Sequence, residues 1–389
     1  MWTGHQVGDN GSSMIDTEVR PESLQIGSAV LDKPLGVAPM AGMTDSAFRR
    51  LVKRQGGCGL VVTEMVSSEG LVRGIDRTLE YAEYTTEERP VSIQIFGGDP
   101  DKMAEAARIV EGMGADIVDV NMGCPVPKIA KHSAGCSLMR EPAHAQSVIA
   151  AMTSAVKIPV TVKMRAGWND HQKNAPELAK RVADAGAAAI AVHGRTAAQS
   201  YSGFSDWDFI SGVAESVDIP VFGSGDVVEA EQAIERLRST AVSGVLVGRG
   251  VLRNPWILEQ ANDLLAGRTP RVVTMQERGQ FLLDYIDLLL REGEDEAEGF
   301  RHVASRDDES NPSRHDRAAR GRDRWVINKL RALAAWYTRG LENGSHLRTA
   351  INTCDSIGSL RSLVTRFFFE SASLADQRPA GRGALAAAD

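Results

Sequence analysis

The sequence predicts an α/β fold, a TIM (β/α)8 barrel followed by a smaller all-helical C-terminal domain. Short apolar runs alternate with longer helix-patterned stretches from about Leu35 to Gly267, a span of about 230 residues. Eight such units match a TIM barrel, whereas an open doubly wound sheet more often has about five to seven strands. After Gly267 the strand pattern stops and only helical patterns follow.

The eight strand candidates are near-continuous apolar runs, the type expected of strands buried on both faces. They are Leu35–Met40, Leu60–Met65, Val91–Phe96, Ile117–Asn121, Val160–Met164, Ala189–His193, Pro220–Gly223 and Val245–Gly248. The helical patterns between them include Asp45–Gln55, Pro100–Met113, Ala143–Val156, Ala175–Ala185 and Glu229–Arg238. Several of these begin with Asp, Pro or Glu and end at Gly, the usual asymmetry of helix ends.

The C-terminal part is predicted to be helical over Gln276–Glu292, Val326–Arg339, Leu347–Thr353 and Ser356–Phe369. Between the first two helices, a charged insertion at about 293–324 is too polar to bury anything, and we expect a mobile loop there. The predicted domains are the barrel over 23–270 and the helical domain over 271–370. Disordered tails are predicted over 1–22 and 371–389.

Composition indicates an ordinary soluble protein of 389 residues with a net charge of −7. No apolar run reaches the about 20 residues of a membrane-spanning helix, and the start lacks a signal-peptide pattern. We therefore expect a cytoplasmic protein without membrane contact, and a monomer. The cysteines form no CxxC pair and have no histidines at zinc-ligand spacing, so we expect no metal.

The charge is unevenly distributed along the chain. From Arg301 to Asp389, Lys and Arg outnumber Asp and Glu by 15 to 10, whereas residues 1–300 carry 29 against 41. A basic module on an acidic body is one way to build a polyanion-binding surface. A solvated charged tail fits the same count.

The active site of a TIM barrel lies at the C-terminal ends of its strands. Strands seven and eight end here in Gly223-Ser-Gly-Asp226 and Gly248-Arg-Gly250, where glycines let backbone N–H groups approach an anion. Such turns are also ordinary barrel loops, but together with Lys163 and His193 they predict a phosphorylated cofactor. Lys163 can stabilise the anionic reduced ring of a flavin, or it can form a salt bridge in the barrel mouth.

Cys124 follows strand four in a Gly-Cys-Pro turn over the barrel mouth. An unperturbed cysteine thiol is mostly protonated at neutral pH, so Cys124 can act as a general acid. A lone cysteine is more often a small buried core residue, but its position at a strand end favours catalysis. Cys136 is close enough in sequence to line the same loop, and its role stays open.

Five motifs resemble, in order and on the expected strands, those of the tRNA-dihydrouridine synthases, particularly the bacterial B-type branch. They are Ala38-Pro-Met-Ala-Gly-Met-Thr-Asp45, Asn121-Met-Gly-Cys-Pro125, Lys163-Met-Arg-Ala-Gly-Trp168, His193-Gly-Arg-Thr196 and Gly248-Arg249. The resemblance covers the barrel from about Leu24 to Leu265. The C-terminal helices match more loosely, through the basic segment from Lys329 to Tyr337.

The resemblance implies an enzyme that uses FMN, reduced by NADPH or NADH, to saturate the C5–C6 bond of uridines in the tRNA D-loop. Flavin N5 would deliver hydride to C6 of a flipped-out base held by Asn121, and Cys124 would protonate C5 from the opposite face. The residues implied for the cofactor are Pro39, Met40, Ala41, Gln94, Lys163, His193, Ser224, Gly225, Asp226, Gly248 and Arg249. Those implied for tRNA are Arg165, Arg195, Arg331 and Arg339.

Two departures from the family pattern stand out: Ser224 replaces a frequent Asn, and the charged stretch from Arg301 to Arg324 looks like an insertion. Three alternatives remain. An FMN-dependent dehydrogenase of a free pyrimidine such as dihydroorotate would not need the basic helical tail. The others are a barrel whose Lys163 forms a Schiff base, and a non-catalytic tRNA-binding protein.

Overall fold

The computed structural model describes residues 23–126, 129, 134–291, 298–302 and 312–370, with the backbone alone over 312–320. The two predicted disordered tails, 1–22 and 371–389, lie outside the described residues. So do residues 293–297 and 303–311 of the predicted insertion.

Within the described residues, eight parallel strands close into a barrel. In chain order they are β1 Leu35–Val37, β2 Leu60–Val62, β3 Val91–Phe96, β4 Ile117–Met122, β5 Val160–Arg165, β6 Ala189–His193, β7 Val221–Ser224 and β8 Gly244–Val247. Each strand pairs with the next, and β8 pairs with β1, so the barrel is closed. The two-residue strand Val66–Ser67 adds a short parallel pairing to β3. The predicted TIM barrel is confirmed.

Strands β1 and β2 end three residues before their predicted ends because the chain turns at the barrel mouth. After β1, the carbonyl of Met40 accepts hydrogen bonds from the N–H groups of Met43 and Thr44, at 3.0 and 3.1 Å. At the opposite end, a hairpin of Leu24–Ile26 and Ala29–Leu31 precedes the barrel and belongs to a core cluster with residues inside it.

The barrel helices follow the strands and cover them from outside. They are α1 Ser46–Gln55, α2 Ser68–Val72, α3 Asp76–Tyr81, α4 Pro100–Gly112, α5 Pro142–Ala155, α6 Ala175–Asp184, α7 Trp207–Glu215, α8 Ala230–Ser239, α9 Arg249–Arg253 and α10 Ile257–Leu265. In α4 the Asp99 carboxylate caps the N-terminus and Pro100 begins the helix. Its buried face repeats at helical spacing, with Met103, Ala107 and Val110.

The chain ends in the predicted helical region. Its helices are α11 Met275–Arg291, α12 Pro312–Tyr337, α13 Gly344–Thr353 and α14 Ile357–Thr365, followed by a π-helical turn over Arg366–Glu370. These helices share one apolar core with the barrel. Phe281 of α11 meets Phe48 of α1 edge-on at 6.1 Å and stacks on Tyr337 of α12 at 5.8 Å, so the helical region is held against the barrel by buried aromatic contacts.

The prediction of a mobile loop over 293–324 is wrong in part. Helix α12 begins at Pro312 and not at Val326, because its first turns contain good helix formers, Ala and Arg, and need no apolar stripe. Upstream, Gly299–Phe300 pairs antiparallel with Tyr84–Thr85. Arg301 adds an ion pair with Glu83 at 3.1 Å, so this short piece of the insertion is attached to the barrel.

Among the described residues, no helix combines the length and the apolar character needed to cross a membrane.

Candidate active site

Polar side chains line the inside of the barrel on its middle strands. Side chains two residues apart on a strand point to the same face, so the inward positions of β4 carry Asp119 and Asn121. The strand register places Asp119 opposite Thr161 and Asn121 opposite Lys163 on β5. These four residues therefore meet below the barrel mouth.

A chain of hydrogen bonds connects this polar layer to the catalytic candidate. Asp119 accepts from the Thr161 hydroxyl at 2.6 Å and from Gln94 Nε2 at 2.7 Å. The Gln94 amide oxygen accepts from Asn121 Nδ2 at 2.8 Å, and Asn121 Oδ1 accepts from the Cys124 N–H at 2.9 Å. Burial raises the pKa of Asp119, against the effect of these hydrogen bonds. The turn that carries Cys124 is thus fixed from inside the barrel.

Asn121 and Gln94 are therefore engaged in support of the turn. Gln94 is buried, and its amide both donates and accepts within the protein. Asn121 Oδ1 also accepts from the N–H of Gly123 at 3.1 Å. The implied contacts of Gln94 with a flavin and of Asn121 with a base stay predictions.

Cys124 is partly exposed at the barrel mouth, whereas Cys136 is buried. The Cys136 N–H donates to the Cys124 carbonyl at 3.1 Å. Burial is the main cause that raises the pKa of the Cys136 thiol, and the neighbouring Cys124 adds to it. The backbone of Cys136 therefore helps to hold the turn, and the role of its thiol stays open.

The mouth is strongly cationic at the ends of β5 and β6. Burial lowers the pKa of Lys163 to about 8, with nearby Arg165 acting in the same direction. Burial is also the main cause that lowers the pKa of His193 to about 2. The cations that add to this effect are Lys163, Arg165, Arg195 and Arg249. Burial and the surrounding cations therefore favour the neutral form of His193.

Arg195 and Arg165, the arginines implied for tRNA at the mouth, are buried in the structure, with exposures of 2% and 6%. Arg195 forms an ion pair with Asp226 at 2.9 Å and donates to the Gly203 carbonyl at 2.6 Å. Arg165 Nε donates to the carbonyl of Gly123, beside Cys124, at 2.8 Å. Both arginines therefore contact loops of the barrel mouth, and their implied contacts with tRNA stay predictions.

The glycine-rich turns after β7 and β8 lie beside this cationic cluster. Gly225 has φ +122°, and an added Cβ would lie 2.4 Å from Ser205 Oγ, so no other residue fits there. Asp226 has φ +54°, a left-handed conformation that is uncommon outside glycine. Its carboxylate accepts from the Ser205 N–H at 2.7 Å and approaches Arg249 at 3.7 Å. Ser224 is buried.

Next to the β8 turn, the loop after β1 presents the half-buried Pro39 and Met40 and the exposed Ala41. Gly248, at the start of α9, faces this loop: a Cβ placed on it would meet Met40 Sδ at 3.7 Å. The β1 loop and the start of α9 therefore lie close together at the mouth, beside Arg249.

The two arginines implied for tRNA in the helical region differ from each other. Arg339 is exposed and lies over the Trp336 ring at 4.0 Å, an arrangement suited to nucleic-acid contact. Arg331 is partly exposed and donates to the carbonyl of Cys354 at 2.7 Å. Arg249 also lies over Trp336, at 5.8 Å, so α12 reaches the barrel mouth.

Sequence reasoning missed several residues of this site. They are Asp119, Thr161, Tyr201 and Glu64. Lys329 and Trp336 were noted only as members of the basic segment from Lys329 to Tyr337. For Asp119 and Thr161 a signal existed, since polar residues at alternate positions of a buried strand must face the barrel interior. Tyr201 stacks against Arg249 at 5.0 Å and comes from a loop without any comparable pattern. Among the described residues, no group of His, Cys, Asp and Glu could hold a metal ion.

The sequence of this chain is similar to those of known proteins. The family model described as dihydrouridine synthase matches residues 36–313. A probable tRNA-dihydrouridine synthase of Rickettsia conorii is 35% identical over 347 residues, 89% of this chain and 96% of the relative. One of Rhodobacter capsulatus is 42% identical and covers 69% of this chain and 83% of the relative. The tRNA-dihydrouridine synthase B of Shewanella oneidensis is 39% identical, covering 68% and 83%.

Among solved structures, histamine dehydrogenase from Rhizobium sp. 4-9 resembles the chain with a TM-score of 0.50 and 12% identity, over 70% of this chain and 51% of that one. This likeness concerns the barrel fold. The matched family model covers most of the chain, and the Rickettsia conorii relative shares 35% of the aligned residues over almost its whole length. The enzyme class predicted from the motifs is thereby confirmed: this chain belongs to the dihydrouridine synthase family.

Proposed function

We propose that this chain is an FMN-dependent tRNA-dihydrouridine synthase that reduces the C5–C6 bond of D-loop uridines with NADPH or NADH. The observation that carries the proposal is the Cys124 turn, which the hydrogen-bond chain from Asp119 holds at the barrel mouth next to Arg165 of the cationic cluster. The family membership and the names of the relatives support the reaction class. The cytoplasmic location and the monomeric state belong to the same proposal.

The residues present fit FMN. Four cations surround His193, while in the described part of the chain the carboxylates that interact with them are Asp119 and Asp226. This group of cations suits a phosphate dianion. The Arg249 guanidinium and the backbone N–H groups of Gly225 and Gly248 are the candidates to bind it. Lys163 offers an ammonium for the ring. When bound, FMN supplies the hydride for C6 of the uracil.

The chain itself supplies the proton and the binding surface for the nucleic acid. Cys124 holds the proton for C5 of the uracil, and Asn121 keeps the turn in place. Trp336 and Arg339 on α12 and just after it present an aromatic and cationic surface next to the mouth, which suits a single-stranded or flipped nucleotide. A uridine leaving its stack would therefore meet α12 before it enters the barrel.

Absorbance spectroscopy of the purified protein tests the proposal. We expect flavin bands that NADPH bleaches and that unmodified tRNA restores, while free uridine does not restore them. Restoration by free pyrimidines instead would favour the dehydrogenase alternative. A colourless protein that binds no added FMN would contradict the proposal and favour the Schiff-base alternative.

Lys163→Met is expected to make the cofactor-free protein more stable and its FMN binding weaker. The folded-state pKa of Lys163, about 8, lies below its ordinary 10.5, so the unfolded chain binds more protons between these values and wild-type stability rises with pH there. Below pH 8 the burial cost is fully present, and the variant should gain on the order of 1 kcal/mol at pH 7.

Urea denaturation at pH 7 and pH 10, with FMN fluorescence titration, measures both effects. The stability difference between variant and wild type should shrink as the pH rises from 8 to 10. A variant less stable than wild type at pH 7 would contradict the assignment of Lys163 as a buried cation retained for ligand binding.

A further inference from the structure

Lys329 of α12 reaches out of the helical region into the barrel mouth. Its ammonium lies 3.0 Å from Asp45 Oδ2 and 3.3 Å from Glu64 Oε1, and it donates to the Gly42 carbonyl at 3.2 Å. Asp45 begins α1 after the β1 loop, and Glu64 follows β2. All three hydrogens of the ammonium thus have partners on the barrel, and the side chain is only 12% exposed.

The two carboxylates are buried and have further partners of their own. Asp45 Oδ2 accepts from the Tyr285 hydroxyl of α11 at 2.7 Å, while Asp45 Oδ1 caps α1. Glu64 Oε2 accepts from the Gly42 N–H at 2.5 Å. Burial by itself lowers the pKa of Lys329, but Asp45 and Glu64 more than offset this and hold it above its ordinary value. The group is therefore a charged, fully hydrogen-bonded cluster.

Gly42 is the point at which this cluster fixes the β1 loop. Its carbonyl is held by Lys329 and its N–H by Glu64. Gly42 has φ +81°, and it lies next to Pro39, Met40 and Ala41, the residues that face the barrel mouth. If the ammonium were removed, the carboxylates of Asp45 and Glu64 would remain buried near each other with no cation between them. This would destabilise the folded loop.

We infer that Lys329 is a positioning residue: it holds the β1 loop in the shape of the cofactor site, so that the helical region completes a site otherwise built by the barrel. The sequence placed Lys329 in the basic segment that carries the looser resemblance of the C-terminal helices, and gave it no role of its own. In the structure, the Lys329 ammonium pairs with Asp45 and Glu64 inside the protein. The name of the cofactor, FMN, rests on the proposed function; the positioning of the loop does not.

Hydrogen exchange of the cofactor-free protein tests the inference. In Lys329→Met, amides over residues 38–46 should exchange about tenfold faster or more, because the loop opens locally, while the β4 and β5 amides should stay protected. The double variant Lys329→Met with Glu64→Gln should restore protection, since the introduced amide oxygen can still accept from the Gly42 N–H and the repulsion with Asp45 is gone. Lys102→Met, which removes a surface pairing with Glu69, should exchange as wild type does.

FMN titration by fluorescence is the second readout. We expect Lys329→Met to weaken FMN binding about tenfold or more and the double variant to recover most of the loss. Unchanged exchange over residues 38–46 in Lys329→Met, or no rescue by Glu64→Gln, would overturn the inference. If the wild type binds no FMN, the proposed function fails, while the exchange experiment still decides the role of Lys329.

Discussion

In Cys124→Ala, the rate at which tRNA reoxidises the reduced enzyme is expected to fall by about 10²–10⁴-fold, the usual contribution of a general acid. Cys124 lies at the barrel mouth, and the Asn121 side chain and the Cys136 N–H hold its backbone. Removing the thiol takes away the proton for C5 and leaves those backbone contacts intact. Cofactor binding and reduction by NADPH should therefore stay near wild type, as stopped-flow absorbance can measure.

Cys136→Ala is the matched control for this prediction. Cys136 is fully buried, so Cys136→Ala should lower the free energy of unfolding by about 1 kcal/mol. The rate at which tRNA reoxidises the reduced enzyme should stay within a few-fold of wild type. Dihydrouridine in the tRNA product, measured by mass spectrometry, completes the comparison. Wild-type dihydrouridine levels from Cys124→Ala would refute Cys124 as the proton donor, and a loss confined to Cys136→Ala would transfer the role to that residue.

Glu88→Ala is expected to lower the free energy of unfolding by about 3–5 kcal/mol, the cost of leaving a buried charge without its partner. Glu88 is wholly buried and pairs with Arg49, itself 1% exposed, at 2.6 Å. It also accepts from Ser46 Oγ at 2.6 Å and from the Thr85 N–H at 2.8 Å. In this variant the Arg49 guanidinium would remain in the core between α1 and the barrel without an opposite charge.

Urea denaturation measures this effect, with Glu87→Ala as control. Glu87 pairs with Arg54 at 2.8 Å, where both side chains are more than a third exposed, and with the buried Arg50 at 3.0 Å. Because Glu87 itself is 37% exposed, solvent screens both pairs, and its loss should cost about 1–2 kcal/mol, well below the loss in Glu88→Ala. Replacing Arg49 and Glu88 together by Met and Leu should cost less than Glu88→Ala alone, because no charge is then stranded. Equal losses in Glu88→Ala and Glu87→Ala would contradict the prediction.

The barrel could be predicted from the sequence because each of its strands is specified locally. A run such as Val91–Phe96 is apolar at most positions, and a strand buried on both faces needs no knowledge of its neighbours to be identified. The insertion was harder to predict: the stretch from Pro312 is helical, and a polar pattern without an apolar stripe does not distinguish such a helix from a loop.

The sequence by itself determined the family, the eight strands and the position of Cys124 at the end of the fourth, since these depend on residues close together in the chain. Only the tertiary structure decided which partners the charged side chains have within the protein. Arg195 and Lys329 both belong to basic motifs, yet one is buried against Asp226 and the other binds Asp45 and Glu64 from a distant helix. Their partners are set by packing between remote segments. The direction in which a long flexible side chain extends cannot be predicted from the local sequence.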